Sequence, residues 1–381
     1  DLNIEVPNEI HLVFDDHDDL KSRFVLEDLA LEAEIPFIHG GIESWYGQVA
    51  VIIPGETARL KDIFSGADKK EGTPSIISPA VSVIASIQVL EGITKITNSS
   101  PNFTKLDLRN KEAVSAYFNA HSDIDGVIHF AASKAVGESV QNPLLYYENN
   151  LNTLTYILQE LSKMENANFI FSSSCTVYGQ ADELPITENA AVKPAESPYG
   201  NTKQIGEEII RDTTYINSNI KAIALRYFNP IGAHPSAEIG ELPIGVPQNL
   251  IPFITQTAAG HREILSVFGN DYPTEDGTCI RDYIHVMDLA EAHVVAIERL
   301  LNRKNQSNFE IFNLGTGKGN SVLEVIETFE KVTQTKLAYQ IANRREGDVI
   351  EAYANTDKAN QVLGWKAKLS LAEALESAWK W

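Results

Sequence analysis

Regular alternation between strand-like and helix-like segments governs the chain from about Lys105 onward. Amphipathic stretches such as Leu144–Ser162 and Tyr199–Arg211 have helical spacing. Between them lie apolar runs with the length of buried strands: Gly126–Ala132, Asn168–Ser172, Lys221–Tyr227 and Phe309–Leu314. Strands separated by helices predict an α/β fold with a parallel sheet covered by helices. Ligands bind beyond the carboxyl ends of such strands, so the residues that follow each strand are site candidates.

One helix carries the first candidate pair. Pro198 favours a helix start, which places Tyr199 and Lys203 four residues apart on one helix face. A phenol with its ordinary pKa near ~10 is a poor base at neutral pH. A neighbouring ammonium lowers that pKa. Spacing alone is weak support, since Tyr and Lys four apart also occur on solvated helices. The preceding strand adds Ser172, Ser173 and Ser174 at its carboxyl end.

Composition excludes several classes of function. The formal net charge is −21 over 381 residues, which argues against binding nucleic acid or an anionic membrane surface. Two cysteines, Cys175 and Cys279, are too few for a disulfide framework or a cysteine zinc site, and no metal is expected. The sequence has neither a signal segment nor a membrane-spanning apolar run, which predicts a cytoplasmic protein. The start at Asp1 rather than Met indicates a fragment or a processed chain.

Longer motifs make the functional signal specific. Residues 89–381 resemble the UDP-glucose 4-epimerases, which belong to the extended short-chain dehydrogenase/reductase family. The matching segments are, in chain order, Val127–Ala132, Lys134–Val140, Tyr146–Asn150, Phe169–Gly179, Tyr199–Lys203, Leu225–Pro235, Val267–Tyr272, Arg281–Val286 and Arg344–Asp348.

The resemblance implies an isomerase that inverts the 4-hydroxyl of UDP-glucose and UDP-galactose through a 4-keto sugar, with NAD bound throughout turnover. It makes Tyr199 the base that removes the proton from the 4-hydroxyl and Ser174 a hydrogen-bond partner of that hydroxyl. Lys203 would bind the nicotinamide ribose and depress the pKa of Tyr199. Further NAD contacts implied by the resemblance are Asp107, Leu108, Phe130, Ala131, Lys134, Asn149 and Tyr227. A homodimer is implied as well.

The same resemblance assigns the sugar-nucleotide end. UDP contacts fall to Asn229, Asn249, Arg281, Arg345 and Asp348. Two arginines suit a pyrophosphate, and a carboxylate suits a ribose diol. Ala352, four positions after Asp348, corresponds to the residue that borders the 2-position of the sugar. An alanine there leaves space for an acetamido group, which extends the expected substrates to UDP-N-acetylhexosamines.

A glycine-rich turn at Gly315–Gly319 requires a separate interpretation. It follows a strand and precedes a helix that begins at Ser321, as a phosphate-binding loop would. Its glycine spacing fits neither the dinucleotide fingerprint nor a P-loop. Ser321 with Glu324 forms a capping-box pattern, so the turn is interpreted as structural.

The first part of the chain belongs to a different pattern. Epimerases open with a strand, a Gly-x-x-Gly-x-x-Gly turn and a helix that hold the NAD pyrophosphate. Residues 1–104 contain no such turn, and Gly40-Gly41 lacks the later glycines. Residues 5–90 instead resemble the later part of sulfur-carrier adenylyltransferases. The matching segments are Val13–Asp18, Ser22–Phe24, Ile35–Gly41, Tyr46–Val49, Pro79–Ala80 and Ala85–Glu91.

The two resemblances together predict a chimeric chain. Residues 1–88 would be an α/β adenylyltransferase-like fragment, in which Asp18 corresponds to a magnesium-binding aspartate but is better interpreted as part of a solvated strand end. Residues 89–381 would form a Rossmann-like doubly wound parallel sheet without its N-terminal strand–helix units, plus a smaller C-terminal α/β substrate domain. The NAD part lies mainly in 105–228 and the substrate part mainly in 229–381. Poor NAD binding follows from the missing turn.

Two alternatives remain at this point. A nucleotide-sugar 4,6-dehydratase would carry an acidic pair after the catalytic Ser or Thr, whereas Cys175 and Thr176 follow Ser174 here. The other alternative is a chain without catalytic activity, such as a partner-binding remnant.

Overall fold

The computed structural model describes residues 13–15, 27–34, 37–43, 46–52, 59, 106–237, 239–241, 247, 249–345 and 348–381. The chain divides into two compact units: residues 1–105 with 241–246, and residues 106–240 with 247–381. The boundary expected between residues 88 and 89 lies outside the described residues, as does Asp18.

The described residues of the first unit contain a small sheet of three strands. Strand β1 (Val13–Asp15) runs parallel to β2 (Phe37–Glu43), and β2 pairs antiparallel with β3 (Tyr46–Ile52). A helical segment covers 27–32. Gly40 and Gly41 lie inside β2, paired with Val49 and Gln48. They are therefore strand residues and do not form a phosphate-binding turn.

The second unit carries the other strands and helices. Its strands are β4 (Gly126–His129), β5 (Ala167–Ser172), β6 (Ile220–Tyr227), β7 (Asn229–Ile231), β8 (Leu265–Phe268), β9 (Ile280–Arg281), β10 (Tyr283–His285), β11 (Phe309–Leu314), β12 (Asn320–Ser321), β13 (Tyr339–Ala342) and β14 (Glu351–Ala352). Its α-helices are α1 (Lys111–Ala120), α2 (Val136–Gln141), α3 (Pro143–Leu161), α4 (Pro198–Ile216), α5 (Leu250–Ala258), α6 (Val286–Leu301), α7 (Val322–Thr333) and α8 (Leu371–Lys380). A 3-10 helix covers Cys175–Tyr178, and a π-helical segment covers Ala359–Leu363.

The central sheet is parallel and has the order β11-β6-β5-β4. Side chains alternate across it, because successive residues of a strand point to opposite faces. Phe169 and Phe171 pack with helix α3 on one face, whereas Ile170 packs with helix α6 on the other. The predicted doubly wound parallel sheet is therefore present, with a hydrophobic core on each face.

Shorter strands build the C-terminal part of the second unit. Strand β10 pairs with β7, β13 pairs with β8, and β9 lies between β12 and β14. Their core contains Ile254, Val267 and Phe329. Among the described helices, none combines the length and the apolar character that crossing a membrane requires.

Candidate active site

Helix α4 presents the candidate base at its first turn. Ser197 is the N-cap, and its side chain accepts a hydrogen bond of 3.1 Å from the Gly200 amide. Pro198 occupies the first helical turn, as its fixed φ favours. Tyr199 and Lys203 consequently lie on one face of the helix, and both are buried, with exposed fractions of 7% and 4%.

The Lys203 amine lies against the end of strand β5. Its Nζ donates to the Ser172 carbonyl at 2.7 Å and lies 4.9 Å from the centroid of the Phe171 ring. Burial lowers the pKa of Lys203 to about 8, and the charge of Glu207 acts in the opposite direction. The ammonium form therefore still dominates at neutral pH.

The Tyr199 phenol is not a ready base in this arrangement. Burial, reinforced by Tyr227, raises the pKa of Tyr199 well above its usual value, and the Ser174 hydroxyl works against that increase. The expectation that Lys203 depresses this pKa is therefore not met. The Lys203 ammonium points at the Ser172 carbonyl and lies 5.8 Å from the centroid of the Tyr199 ring, so desolvation of the phenol dominates.

Ser174 lies two residues after the end of strand β5 and begins the next turn. It is the N-cap of the 3-10 helix Cys175–Tyr178, and its hydroxyl accepts from the Thr176 amide at 3.2 Å. Its side chain is buried and interacts with the Tyr199 phenol. The structure thus brings together the three residues that the sequence named for catalysis.

Residues expected to contact NAD line the ends of β4 and β6. Phe130 and Ala131 follow β4 and are exposed, as is Lys134. The centroids of the Phe130 and His293 rings are 4.5 Å apart. Burial raises the pKa of Tyr227 to about 12, with the Ser172 hydroxyl opposing it. Strand β4 ends at His129, so the predicted extension to Ala132 is wrong.

The remaining expected NAD contacts have partners within the protein. The Asn149 amide donates to the Ser133 hydroxyl at 2.9 Å. Asp107 pairs with Arg109, whose Nη2 donates to Oδ2 at 2.8 Å. Leu108 packs against the core that contains Phe169. A bound NAD would therefore compete with Arg109 for the Asp107 carboxylate.

Two of the expected UDP contacts, both arginines, lie beside a third, the Asp348 carboxylate. Arg345 donates to Asp348 through Nε at 3.0 Å and Nη2 at 3.3 Å, and Arg281 Nη2 lies 4.0 Å from Asp348 Oδ1. The backbone N–H of Asn229 donates to the backbone carbonyl of Asp282 at 2.9 Å. Asn229 therefore lies close to Arg281, the residue before Asp282. Asn249 is the N-cap residue of helix α5.

Ala352 connects this cluster to the catalytic residues. In β14 it lies opposite Arg281, and it packs with Val177 and Tyr178 of the 3-10 helix that follows Ser174. The ring of Tyr353 lies instead against Gly319, where an added Cβ would come within 3.0 Å of Tyr353 Cδ1. Ala352 and Tyr353 thus face opposite sides, as extended backbone requires.

Asp282 is a structural residue whose partners the sequence did not reveal. This buried carboxylate accepts from the Thr316 amide and hydroxyl at 2.8 and 2.6 Å, from the Gly317 amide at 3.0 Å and from the Ala354 amide at 3.2 Å. A Cβ on Gly315 would lie 2.3 Å from Asp282 Oδ2, so glycine is needed there. The turn interpreted as structural therefore binds an internal carboxylate, and the capping box of Ser321 and Glu324 is confirmed.

Two further buried groups escaped the sequence interpretation. Glu207 and Arg226 form an ion pair beneath the active site, with Nε–Oε1 and Nη2–Oε2 distances of 2.9 and 2.5 Å. The Asn150 side chain accepts from the Ser133 amide at 2.7 Å and donates to Thr202 at 3.1 Å. The position of Glu207 one helical turn after Lys203 could have marked Glu207 as a candidate, but the sequence does not name Arg226 as its partner. In the described part of the chain, no three His, Cys, Asp or Glu side chains are placed to hold a metal ion.

Two family models match the sequence, and their matches overlap over residues 79–123, where the motifs change. The model described as GDP-mannose 4,6 dehydratase matches residues 79–378, and that of the ThiF family matches residues 2–123. The pair agrees with the chimeric organisation expected from the motifs.

Known proteins resemble the larger part. The UDP-glucose 4-epimerase of Bacillus subtilis is 47% identical over 297 residues, which are 78% of this chain and 86% of the relative. Among solved structures, the UDP-glucose 4-epimerase from Bifidobacterium longum in complex with NAD+ and UDP matches with a TM-score of 0.71 and 43% identity, over 77% of this chain and 86% of that one.

A third similar protein is the UDP-Glc/GlcNAc 4-epimerase of Campylobacter jejuni. Its structure matches with a TM-score of 0.66 and 36% identity, over 78% of this chain and 87% of that one. These relatives favour the epimerase interpretation over the 4,6-dehydratase alternative.

Proposed function

The chain belongs to the UDP-glucose 4-epimerase family, and from this premise we propose that residues 106–381 carry the catalytic and substrate-binding machinery for NAD-dependent interconversion of UDP-glucose and UDP-galactose. One observation carries the proposal. Tyr199, Lys203 and Ser174 converge, all buried, where a parallel strand ends, which is the place such folds reserve for ligands.

Each catalytic residue has a separate task. Ser174 hydrogen-bonds the sugar 4-hydroxyl, Tyr199 takes the proton from that hydroxyl, and Lys203 supplies positive charge and donors to a ribose. Because the pKa of Tyr199 is raised in this structure, an added cation is needed to favour the phenolate. When bound, NAD supplies that positive charge and the reversible oxidation of the sugar at C4.

The nicotinamide end of the site fits such a cofactor. An ammonium has three N–H donors, and the described residues engage one of those on Lys203, through the Ser172 carbonyl. The remaining donors suit ribose hydroxyls, and the exposed Phe130 and Ala131 after β4 offer an open surface. Phe130, Ala131, Lys134, Asn149, Tyr227, Asp107 and Leu108 are the proposed further contacts. The residues present do not fit the pyrophosphate of NAD, since residues 1–104 contain no Gly-x-x-Gly-x-x-Gly turn.

The sugar-nucleotide end is proposed from charge and geometry. Arg281 and Arg345 bind the diphosphate, Asp348 binds a ribose diol, and Asn229 and Asn249 contact the uridine half. The present Arg345–Asp348 pair, at 3.0 Å, opens when the nucleotide supplies partners for both. By this assignment NAD binds mainly through residues 105–228 and the substrate mainly through 229–381, while residues 1–88 take no part.

Substrate range follows from Ala352. This small residue packs beside the 3-10 helix that Ser174 begins, and Tyr353 points away from it. Space remains for a 2-acetamido group, so UDP-N-acetylhexosamines are proposed substrates as well. The similarity to the UDP-Glc/GlcNAc 4-epimerase of Campylobacter jejuni, at 36% identity, supports this range.

Assembly and location complete the proposal. A homodimer is supported by Tyr215 and Ile216, two apolar side chains 83% exposed at the end of α4. A chain that sediments as a monomer at all concentrations would contradict it.

A cytoplasmic site of action is supported by Cys175 and Cys279, which are both free, as is usual in reducing compartments.

The test of the function uses two proteins. The chain as it stands is denatured, and the released nucleotide is quantified; we expect far less than one NAD per chain. A second protein has residues 1–88 replaced by an epimerase strand, Gly-rich turn, helix and following strand. It should hold NAD and interconvert UDP-galactose and UDP-glucose.

The control is Tyr199→Phe in the repaired protein. Loss of base catalysis should lower turnover by about 10²–10⁴-fold while NAD stays bound. Near-normal turnover of this variant would remove Tyr199 from the mechanism. One NAD per unrepaired chain would show that residues 1–88 contribute a substitute pyrophosphate site.

A further inference from the structure

Glu207 is a buried carboxylate on the helix that carries the catalytic pair. It follows Tyr199 and Lys203 at intervals of four residues along α4, and its exposed fraction is 2%. It accepts from the Ser173 hydroxyl at 2.6 Å and from Arg226 through Nε at 2.9 Å and Nη2 at 2.5 Å. These partners are what allow a carboxylate to remain ionised in the interior.

The end of strand β5 is tied to two successive turns of α4. Ser172 accepts from Lys203 through its carbonyl, and Ser173 donates to Glu207 through its hydroxyl. The next residue is Ser174, whose hydroxyl interacts with Tyr199. These two hydrogen bonds, from consecutive residues, fix the end of strand β5 against helix α4. They leave Ser174 with little freedom to move away from the Tyr199 phenol.

Glu207 is also the anion nearest to Lys203 along the helix. Burial works against the charge on Lys203, and Glu207 is the group that supports it. Other titratable or charged groups lie near Lys203, Tyr199 or Glu207 on the neighbouring elements: Tyr199 on α4, His129 at the end of β4, Arg226 and Tyr227 on β6, Tyr146 on α3, Cys175 after β5, and His293 on α6 through Ser172. None of these supplies a negative charge at neutral pH in its ordinary state.

We propose that Glu207 is a positioning residue of this site, which keeps the Lys203 amine charged and, through Ser173, holds Ser174 beside Tyr199. The proposal extends the function argued above, but its first measurement needs neither NAD nor substrate. Failure of the proposed function and failure of this inference are therefore distinguishable.

The experiment follows the titration of Lys203 in the full chain. Lysine side chains are labelled with ¹³C at Cε, the Lys203 signal is assigned by its loss in Lys203→Arg, and spectra are recorded from pH 6 to 11. The wild-type midpoint is expected near pH 8. In Glu207→Gln the midpoint should fall by about one pH unit, the size of effect expected from one neighbouring charge.

A matched control is available in the same molecule. Glu310 pairs with Arg299 through Nε at 2.8 Å and Nη2 at 3.0 Å and also accepts from the Gln306 amide at 2.9 Å. Its burial resembles that of Glu207. Glu310→Gln should destabilise the fold to a similar extent, since it too leaves a buried arginine without its carboxylate, but should not move the Lys203 midpoint.

Two results would overturn the proposal: an unchanged midpoint in Glu207→Gln, or an equal fall in Glu310→Gln. If Glu207→Gln does not fold, Glu207→Asp replaces it. That variant keeps the carboxylate charge but moves it away from Lys203 by the length of one methylene. The midpoint of the Lys203 titration should therefore fall measurably, but by less than one pH unit. An unchanged midpoint there would refute the role. In the repaired protein, Glu207→Gln should lower kcat and move the alkaline side of its pH profile, whereas Glu207→Asp should restore most of both.

Discussion

Two buried tyrosine hydroxyls of the second unit differ in their partners. Tyr178 donates to the Asn313 side chain at 2.6 Å, whereas the hydroxyl of Tyr272 has no hydrogen-bond partner among the described residues. A buried polar group without a partner is costly, while a satisfied one contributes to stability. The same chemical change, removal of one oxygen, should therefore have opposite consequences at the two positions.

The first prediction compares Tyr178→Phe with Tyr272→Phe. Tyr178→Phe should lower the free energy of unfolding by about 1–2 kcal/mol, because Asn313 loses its donor. Tyr272→Phe should leave it unchanged or raise it slightly. Urea unfolding of both variants checks this, and an equal loss in the two would mean that the Tyr272 hydroxyl has a partner in solution.

The second prediction concerns Ala352. Replacing it with Tyr puts a large ring where a small side chain packs with Val177 and Tyr178, and steric exclusion discriminates strongly against the bulkier ligand. Binding of UDP-N-acetylglucosamine, measured by calorimetry on the chain itself, should weaken by at least about tenfold, equivalent to about 1.4 kcal/mol. UDP-glucose is the internal control and should change little. No binding of the N-acetylated nucleotide to either protein would refute the substrate range.

Single residues also mark how far the sequence could be interpreted. Tyr199, Lys203 and Ser174 were named correctly as neighbours because a known motif and the end of a strand coincide there. The pair Glu207–Arg226 could not be foreseen, since a sequence does not say which buried acid meets which base. The raised pKa of Tyr199 was missed for a related reason: burial is set by the surrounding elements, and charge spacing along one helix does not report it.

Secondary-structure elements were predictable where their apolar pattern is long. The predicted strands of the central sheet agree with β5, β6 and β11 to within a residue at each end. Strand β4 is shorter than predicted because its pairing with β5 ends at His129 and Phe171. Phe130 and Ala131 continue an apolar pattern without a partner strand among the described residues, and an apolar pattern alone cannot mark where pairing stops.

The third prediction tests two capping boxes. Ser321 caps α7 and Ser370 caps α8, each with a reciprocal Glu three residues later. The Ser321 hydroxyl also donates to Asp276, and it is buried, whereas Ser370 is exposed. Ser370→Ala should cost about 1 kcal/mol, and Ser321→Ala should cost more, up to about 2–3 kcal/mol with the lost Asp276 contact.

Thermal and urea unfolding of the two serine variants provide the measurement. Both changes remove the same cap from the same kind of helix start, so an excess cost at Ser321 reports its contact with Asp276 together with its burial. Equal costs would show that the hydrogen bond to Asp276 adds nothing to the stability of the fold.

At the scale of the whole molecule, two buried histidines make the free energy of unfolding depend on pH in the acid range. Burial lowers the pKa of His129 to about 3 and that of His293 to about 4. His293 is neutral in the fold, since Nδ1 donates to the Leu289 carbonyl and Nε2 accepts from Ser172. An unfolded chain protonates both near pH 6.5. Stability from these groups is therefore present above that pH and is lost progressively as the pH falls towards 4 and 3.

The fourth prediction follows from this loss of stability as the pH falls. Between pH 7 and pH 5 each histidine should cost about 1–2 kcal/mol of unfolding free energy. His293→Gln, which keeps a donor and an acceptor, should flatten this dependence. His261 is exposed, and His261→Gln is the control that should leave the slope as in the wild type. Denaturant midpoints at both pH values decide between these outcomes.

The small sheet that unites β9, β12 and β14 draws residues 280–281, 320–321 and 351–352 into one place. On the ribosome, β4, β5 and β6 can pair soon after they emerge, because each lies next to its successor in the sheet. Arg281 must instead wait for Ala352 before its strand is flanked on both sides, and contacts between distant parts of a chain form slowly. The strands that lead to the base and the lysine can thus pair before the residues proposed to bind the nucleotide are brought together.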